Sequence, residues 1–181
     1  MKALPIILVC ILFLTSCKEV SFKEPQPAGV SPLREVPAVL RGMYQAYDER
    51  SGDQADTVFI ESWGYYLKDK NDKDWLGRGV LSDSLVLKYY QDYYFVNFKA
   101  GDQWILRLIR RKPSGAIEFL SLDVQDEKQD VLKRLHKKFT VKEIKKEEDT
   151  FYQINPTPAQ LMTLIKEGYF TGPELRKMVQ K

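Results

Sequence analysis

The pattern of apolar and polar positions is clearest between Val80 and Leu122, where it alternates with a period of two. Four such runs follow one another, separated by short turn sequences at Gln91-Asp92, at Ala100-Gly101-Asp102 and at Pro113-Ser114-Gly115. Alternation of this kind places one set of side chains on each face of a strand, and tight turns join antiparallel neighbours. The pattern therefore predicts a four-stranded antiparallel meander with one face buried.

Five shorter runs flank the meander and have the β-branched and aromatic composition of strands. They lie at residues 40–44, 57–60, 63–67, 141–144 and 150–154. Toward the C-terminus, a cap at Asp126 precedes apolar residues at helical spacing as far as Phe139, and capping boxes begin at Thr157 and Thr171. The chain is therefore predicted to be mainly β, with α+β character at the C-terminus. We expect the antiparallel β-meander to form a small barrel or a strongly curved sheet, closed by two or three short helices.

The N-terminus carries a different pattern, a short apolar run behind one positive charge. Lys2 precedes an apolar stretch from Leu4 to Leu14, which is shorter than the ~20 residues that span a bilayer. Such a start is typical of a secretory signal peptide. Leu14-Thr15-Ser16-Cys17 resembles the lipobox of bacterial lipoproteins. The resemblance implies cleavage after residue 16, a diacylglycerol on the Cys17 sulfur, and a lipid anchor in a membrane of the cell envelope.

The residues that follow Cys17 bear on where the anchored protein goes and how it is attached. The charged Lys18-Glu19 pair favours the outer membrane over the inner one, on either the periplasmic or the surface face. Residues 17–36 are rich in proline and polar residues, which predicts a flexible tether between the lipid and the body. An ordered strand packed against the domain around Val30 is the alternative. Residues 37–181 are then a single β-rich domain.

Composition narrows the chemistry that the mature protein can perform. The formal net charge is only +3, which is too balanced to predict nucleic acid as a partner. Cys10 lies within the signal and Cys17 would be acylated, so no thiol remains for catalysis, a disulfide or a metal site. His136 is the one histidine and lies among lysines and an arginine, so no metal site and no cofactor are predicted. A calcium loop at Asp69–Asp74 is a weak alternative, since it lacks the central glycine and the final glutamate.

Catalytic motifs are absent from the sequence. It contains no G-x-S-x-G, no S-x-x-K and no glycine-rich phosphate loop, so an enzyme is the minority interpretation. A carboxylate-dependent hydrolase would need two acidic side chains in one cleft. The acidic residues at predicted strand ends are the candidates: Glu61, Asp83, Asp92, Glu118 and Asp123.

Aromatic side chains are the strongest candidates for recognition, because they combine an apolar body with a polar edge. On adjacent positions of one strand, one member of each pair must face outward. The residues predicted to contact a ligand or partner are Tyr65, Tyr66, Tyr89, Tyr93, Tyr94 and Trp104. The alternative is that the inward ones pack in the core and the outward ones form cross-strand pairs.

Two short motifs carry a resemblance of the body to the calycin group, which includes the lipocalins. Gly42-Met43-Tyr44 is similar to the Gly-x-Trp of their first strand, with tyrosine in place of tryptophan. Gln91-Asp92-Tyr93 is similar to their Thr-Asp-Tyr. The resemblance implies an antiparallel barrel with a ligand cavity. The leading hypothesis is a non-enzymatic, membrane-anchored module that binds a small apolar ligand or a protein partner of the envelope. The alternatives are a structural or inhibitory subunit of an envelope complex and, third, the hydrolase.

Overall fold

In the part of the chain that the structure describes, thirteen strands form one large sheet, and two short helices lie toward the C-terminus. The computed structural model describes residues 18–47, 54–68, 77–124, 130–146 and 149–178. Within these ranges no helix has the length and the apolar character that are needed to cross a membrane. The signal segment and Cys17 lie outside the described residues.

The strands are β1 (Lys18–Phe22), β2 (Gly42–Tyr47), β3 (Gln54–Glu61), β4 (Gly64–Leu67), β5 (Arg78–Val80), β6 (Leu85–Tyr90), β7 (Tyr93–Ala100), β8 (Gln103–Arg111), β9 (Ile117–Leu122), β10 (Lys142–Lys146), β11 (Asp149–Ile154), β12 (Phe170–Thr171) and β13 (Glu174–Met178). The helices are α1 (Val131–His136) and α2 (Pro158–Lys166), and Ala38–Leu40 forms a 3-10 turn.

The strand order is β10-β11-β1-β8-β9-β13-β2-β3-β4-β5, with β7 and then β6 on the other edge of β8 and β12 beside β9. Consecutive strands β6, β7, β8 and β9 pair antiparallel, so the predicted meander is confirmed. The pairing of β1 with β11 is parallel, which makes the sheet mixed. The sheet curves strongly without closing into a barrel, so the mainly β fold is confirmed in its curved-sheet form.

Two hydrophobic cores lie on opposite sides of the curved sheet. On β8, Leu106 and Leu108 face one core, which includes Val20 and Phe22 of the neighbouring β1 and is covered by α2; this side is called the outer face. Ile105 and Ile109 face the second core on the concave side, called the inner face. Alternation along a single strand therefore fills both cores, so the prediction that only one face of the meander is buried is wrong.

The prediction of a flexible tether over residues 17–36 is wrong for the part that the structure describes. Residues Lys18–Phe22 form β1, which lies between β11 and β8 and buries Val20 and Phe22. The proline-rich composition of this segment concealed the strand. This segment forms a strand because β8 and β11 each present it with a strand edge to pair with, and the local sequence gives no sign of either edge.

After β1, residues 23–36 cross the sheet as a segment that we call the N-terminal strap. The Asn97 side chain accepts from the Gln26 amide at 2.7 Å and donates to the Gln26 carbonyl at 2.8 Å. Lys88 Nζ is buried and donates to the carbonyls of Pro25 and Pro27 at 2.7 and 2.9 Å. These bonds satisfy backbone groups that the sheet ladder does not use, and they hold residues 25–27 of the strap against the outer face.

The C-terminal predictions are confirmed in part. Helix α2 begins at the predicted box, where the Thr157 hydroxyl accepts from the Gln160 amide and the Gln160 side chain accepts from the Thr157 amide. The third helix, predicted from the box at Thr171, is wrong, because this segment forms β12 and β13. Gly172 comes so close to the Phe119 carbonyl that a Cβ would lie 2.0 Å from its oxygen. The backbone of this segment therefore packs directly against β9 and does not form a helix.

Candidate functional site: an apolar cavity

A cavity of about 210 Å³ lies inside the curve of the sheet, on the inner face. Its wall is built mainly of aliphatic side chains from seven strands, completed by residues of the strap and the 3-10 turn. The aliphatic part of the wall includes Val36, Leu40, Leu85, Val96, Ile109 and Ile117. An engineered cavity of about 150 Å³ with a similar lining binds benzene, so this one has room for a small ring or one short hydrocarbon chain.

The strap and the turn that follows it close one side of the cavity. Val36 donates its amide to the Ser62 carbonyl at 2.9 Å, and the Leu33 amide donates to the Leu87 carbonyl at 2.7 Å. These bonds position the buried side chains of Val36 and Leu40 in the wall. The segment predicted to be a linker therefore supplies part of the candidate site.

Two glycines bring β4 and β5 close together at another side of the cavity. Gly64 has φ +152°, and a Cβ there would lie 1.9 Å from the Gly79 carbonyl oxygen. A Cβ on Gly79 would in turn meet the side chains of Tyr65 and Leu85. Glycine at both positions lets the sheet bend tightly toward β6, which gives the concave side its curvature.

The cavity wall offers apolar contact and little chemistry. Its aromatic members include Tyr65 and Phe98, whose ring centroids lie 6.2 Å apart at an interplanar angle of 79°. No acidic, basic or thiol side chain is among the lining residues. Such a wall can hold a hydrocarbon but supplies no charged group for acid–base work.

Charged side chains lie on the same inner face beyond the apolar wall. Arg111 pairs across the sheet with Ile117, which lines the cavity. Lys177 pairs with Tyr44, and its Nζ lies 5.7 Å from the centroid of the Tyr44 ring. Tyr44 is fully buried, and its hydroxyl has no hydrogen-bond partner among the described residues.

Arg111 is close enough to two phenols to act on both electrostatically. Burial raises the pKa of Tyr44 above its usual range, and the positive charge of Arg111 opposes that rise. Burial and the neighbouring Tyr89 raise the pKa of Tyr94, and Arg111 again opposes the rise. Both phenols therefore stay neutral at physiological pH and can act as hydrogen-bond donors.

The predicted aromatic set does not converge on one place. Tyr65 lines the cavity. Tyr94 lies next to Ile109 on the inner face, and the exposed Tyr89 packs against it with ring centroids 4.8 Å apart. Three of the six predicted contact residues, Tyr65, Tyr89 and Tyr94, thus lie in or beside the cavity.

The remaining three predicted aromatic residues lie on the outer face. Tyr93 and Trp104 pack against the core that α2 covers. Tyr66 stacks on Phe59 with centroids 4.7 Å apart, and Trp63 stacks on Tyr66 at 6.2 Å. The alternative of core packing and cross-strand pairing therefore describes these three side chains.

Other candidate residues show no shared site in the described part of the chain. His136 is exposed on α1, and no cluster of three or more His, Cys, Asp or Glu side chains that could hold a metal occurs within the described ranges. Glu118 is held by Arg110 at 2.5 Å and by Lys112 at 3.2 Å, as a structural ion pair would be. The calcium candidate at Asp69–Asp74 lies outside the described residues, as does Cys17.

No family model, curated protein or solved structure matches this chain.

Sequence reasoning did not identify the aliphatic wall or the two cations beyond it. Aliphatic residues that pack solidly and those that surround a cavity have the same period-two pattern. Arg111 offered a weak signal, since it lies an even number of residues from Ile105 and Ile109 along β8 and so faces the same side of the sheet. Lys177 was not identified, because the capping box at Thr171 predicts a helix for its segment.

Proposed function

We propose that the protein is a lipid-anchored binding protein of the bacterial cell envelope, which holds a small apolar molecule in the cavity without chemical transformation. The observation that carries the proposal is the apolar cavity of about 210 Å³ on the concave side of the sheet. Natural cores have few voids larger than a water molecule. A cavity of this size is therefore a feature that calls for a functional reason.

The apolar wall of the cavity supports a binding role. The cavity opens partly to solvent, so its wall is in contact with water when no ligand is bound. Covering such a wall with a hydrocarbon is favourable by about 25 cal/mol for each Å² of apolar surface removed from water. This free energy is a source of affinity for an apolar ligand.

The anchoring half of the proposal rests on the Leu14–Cys17 motif. In the fold, Lys18 is already a paired residue of β1, so a lipid on Cys17 would be attached one residue from the sheet. Replacing Cys17 by Ser should abolish fatty-acid labelling and leave the precursor uncleaved. Labelling that survives the substitution would contradict the anchor.

Native mass spectrometry of purified residues 18–181 tests the binding half. We expect a co-purified small lipid or a similar apolar molecule, which leaves when the complex is activated in the gas phase. A protein that stays free of ligand across mixtures of lipids and small hydrocarbons would contradict the proposal.

A protein partner in the envelope is the second candidate, and an outer-face ladder favours it. Phe59, Tyr66 and Trp63 stack on one another across β3 and β4, and the Arg78 guanidinium lies 5.1 Å from the Trp63 ring centroid. Trp63 is 36 % exposed. Exposed aromatic and arginine side chains of this kind are enriched at protein interfaces. Cross-linking from position 63 tests this candidate.

A further inference from the structure

Two cations lie on the inner face where the apolar wall ends. Arg111 lies beside Ile117, and the same row of the sheet continues to Leu175, which also lines the cavity. Lys177 lies two residues beyond Leu175 on β13, so its side chain has the same orientation toward the inner face. Both cations are exposed. They therefore border the space that a molecule in the cavity would extend into.

These two cations differ from most other basic residues of the same strands. Arg107 pairs with Glu19 at 2.6 Å, Arg110 with Glu118 at 2.5 Å, and Lys112 with Glu174 at 2.5 Å. Among the described residues, no carboxylate forms an ion pair with Arg111 or Lys177. Their charge is available to a group that does not belong to this part of the protein.

Tyr44 adds an independent observation at the same place. Lys177 Nζ lies 5.7 Å from the centroid of its ring, and the positive charge of Arg111 opposes the rise in the pKa of its phenol that burial causes. Its hydroxyl is fully buried and has no hydrogen-bond partner in the described structure. A buried polar group without a partner is destabilising, and an incoming hydrogen-bond acceptor would satisfy it.

We propose that the ligand of the cavity is a single-chain amphiphile with an anionic head group, such as a medium-chain fatty acid. Its hydrocarbon chain lies in the cavity, and its carboxylate lies between Arg111 and Lys177, within reach of Tyr44. This inference rests on the proposed function and adds the ligand class. The cavity volume favours one short chain over a two-chain phospholipid.

The test compares two probes of equal chain length, decanoate and decanol, by isothermal titration calorimetry. Arg111→Gln and Lys177→Gln remove one charge each, and Lys166→Gln is the control because Lys166 is exposed on α2, which packs on the outer face. We expect each of the first two substitutions to weaken decanoate binding by about tenfold and to leave decanol binding unchanged. The control should bind both probes like the wild type. Added salt should weaken decanoate binding and spare decanol.

The outcomes separate this inference from the proposed function. If both probes bind and neither substitution changes the ratio of their affinities, the anionic head group is wrong and the apolar binding function stands. If neither probe binds the wild type, both proposals fall. Thermal unfolding of each variant shows whether the fold is intact, and exposed side chains such as Arg111 and Lys177 should tolerate replacement by glutamine.

Discussion

Adjacent residues of β8 offer a direct test of the cavity. Ile109 lines the cavity on the inner face, while Leu108 is fully buried in the outer core. Isoleucine and leucine side chains are isomers of nearly equal volume, so Ile109→Phe and Leu108→Phe make the same increase in side-chain size in two environments. At Ile109 the ring can occupy cavity space, and filling of this kind stabilises by about 0.5–2 kcal/mol. At Leu108 it meets a packed core, and overpacking costs about 1–3 kcal/mol.

The two variants should therefore differ by about 1.5–5 kcal/mol in their free energy of unfolding, with opposite signs relative to the wild type. Urea denaturation followed by tryptophan fluorescence measures this difference, provided that the m-values stay equal. Ile109→Phe should also lose affinity for decanol, because its ring competes for the same space. Equal destabilisation by both substitutions would refute the reasoning, since it would mean that the inner core is packed as densely as the outer one.

Three further predictions concern the strap, α2 and the sharp bend of the sheet. Burial lowers the pKa of Lys88 below its usual 10.5. At pH values between the lowered pKa and 10.5, the unfolded chain therefore binds the proton more strongly than the folded protein does. The free energy of unfolding should therefore rise with pH up to 10.5. Lys88→Met should remove this rise and should also destabilise the protein by about 1–3 kcal/mol, because the Pro25 and Pro27 carbonyls lose their donor. Urea midpoints measured across the pH range check both effects. Thr157→Ala should cost about 1 kcal/mol in thermal unfolding by removing the cap, whereas Thr157→Ser should not. Gly64→Ala should destabilise by more than about 3 kcal/mol or prevent folding, because its Cβ would overlap the Gly79 carbonyl; a soluble variant of wild-type stability would contradict the tight approach.

The part of the fold that the sequence predicts is the part decided by local signals. Residues 85–122 alternate regularly and carry short turns, and the four strands follow them closely. The box at Thr157 acts within one helical turn and was sufficient to place α2. At Thr171 the same type of signal failed, because the open edges of β2 and β9 outcompete a local cap there.

The candidate site was less predictable, for two physical reasons. Tyr65 was identified because an aromatic pair on a strand must place one ring inward. The aliphatic wall was not identified, since the size of a cavity depends on how far apart the opposing walls of the sheet are held and not on which residues line them. The contribution of Val36 depends on a bond from the strap to Ser62, which is distant in sequence, and composition alone favoured a linker at Val36.

The position of β1 has a consequence for how the chain reaches its native state. β1 pairs in parallel with β11, which lies near the other end of the sequence, and antiparallel with β8 in the middle. During synthesis or export β1 therefore waits for β8, in the middle of the chain, for one partner edge, and for β11, near its end, for the other, and contacts of such long range slow folding. During that interval its apolar residues are available to chaperones. A shortened protein that starts at residue 37, where composition would set the domain boundary, should leave two unpaired edges and aggregate.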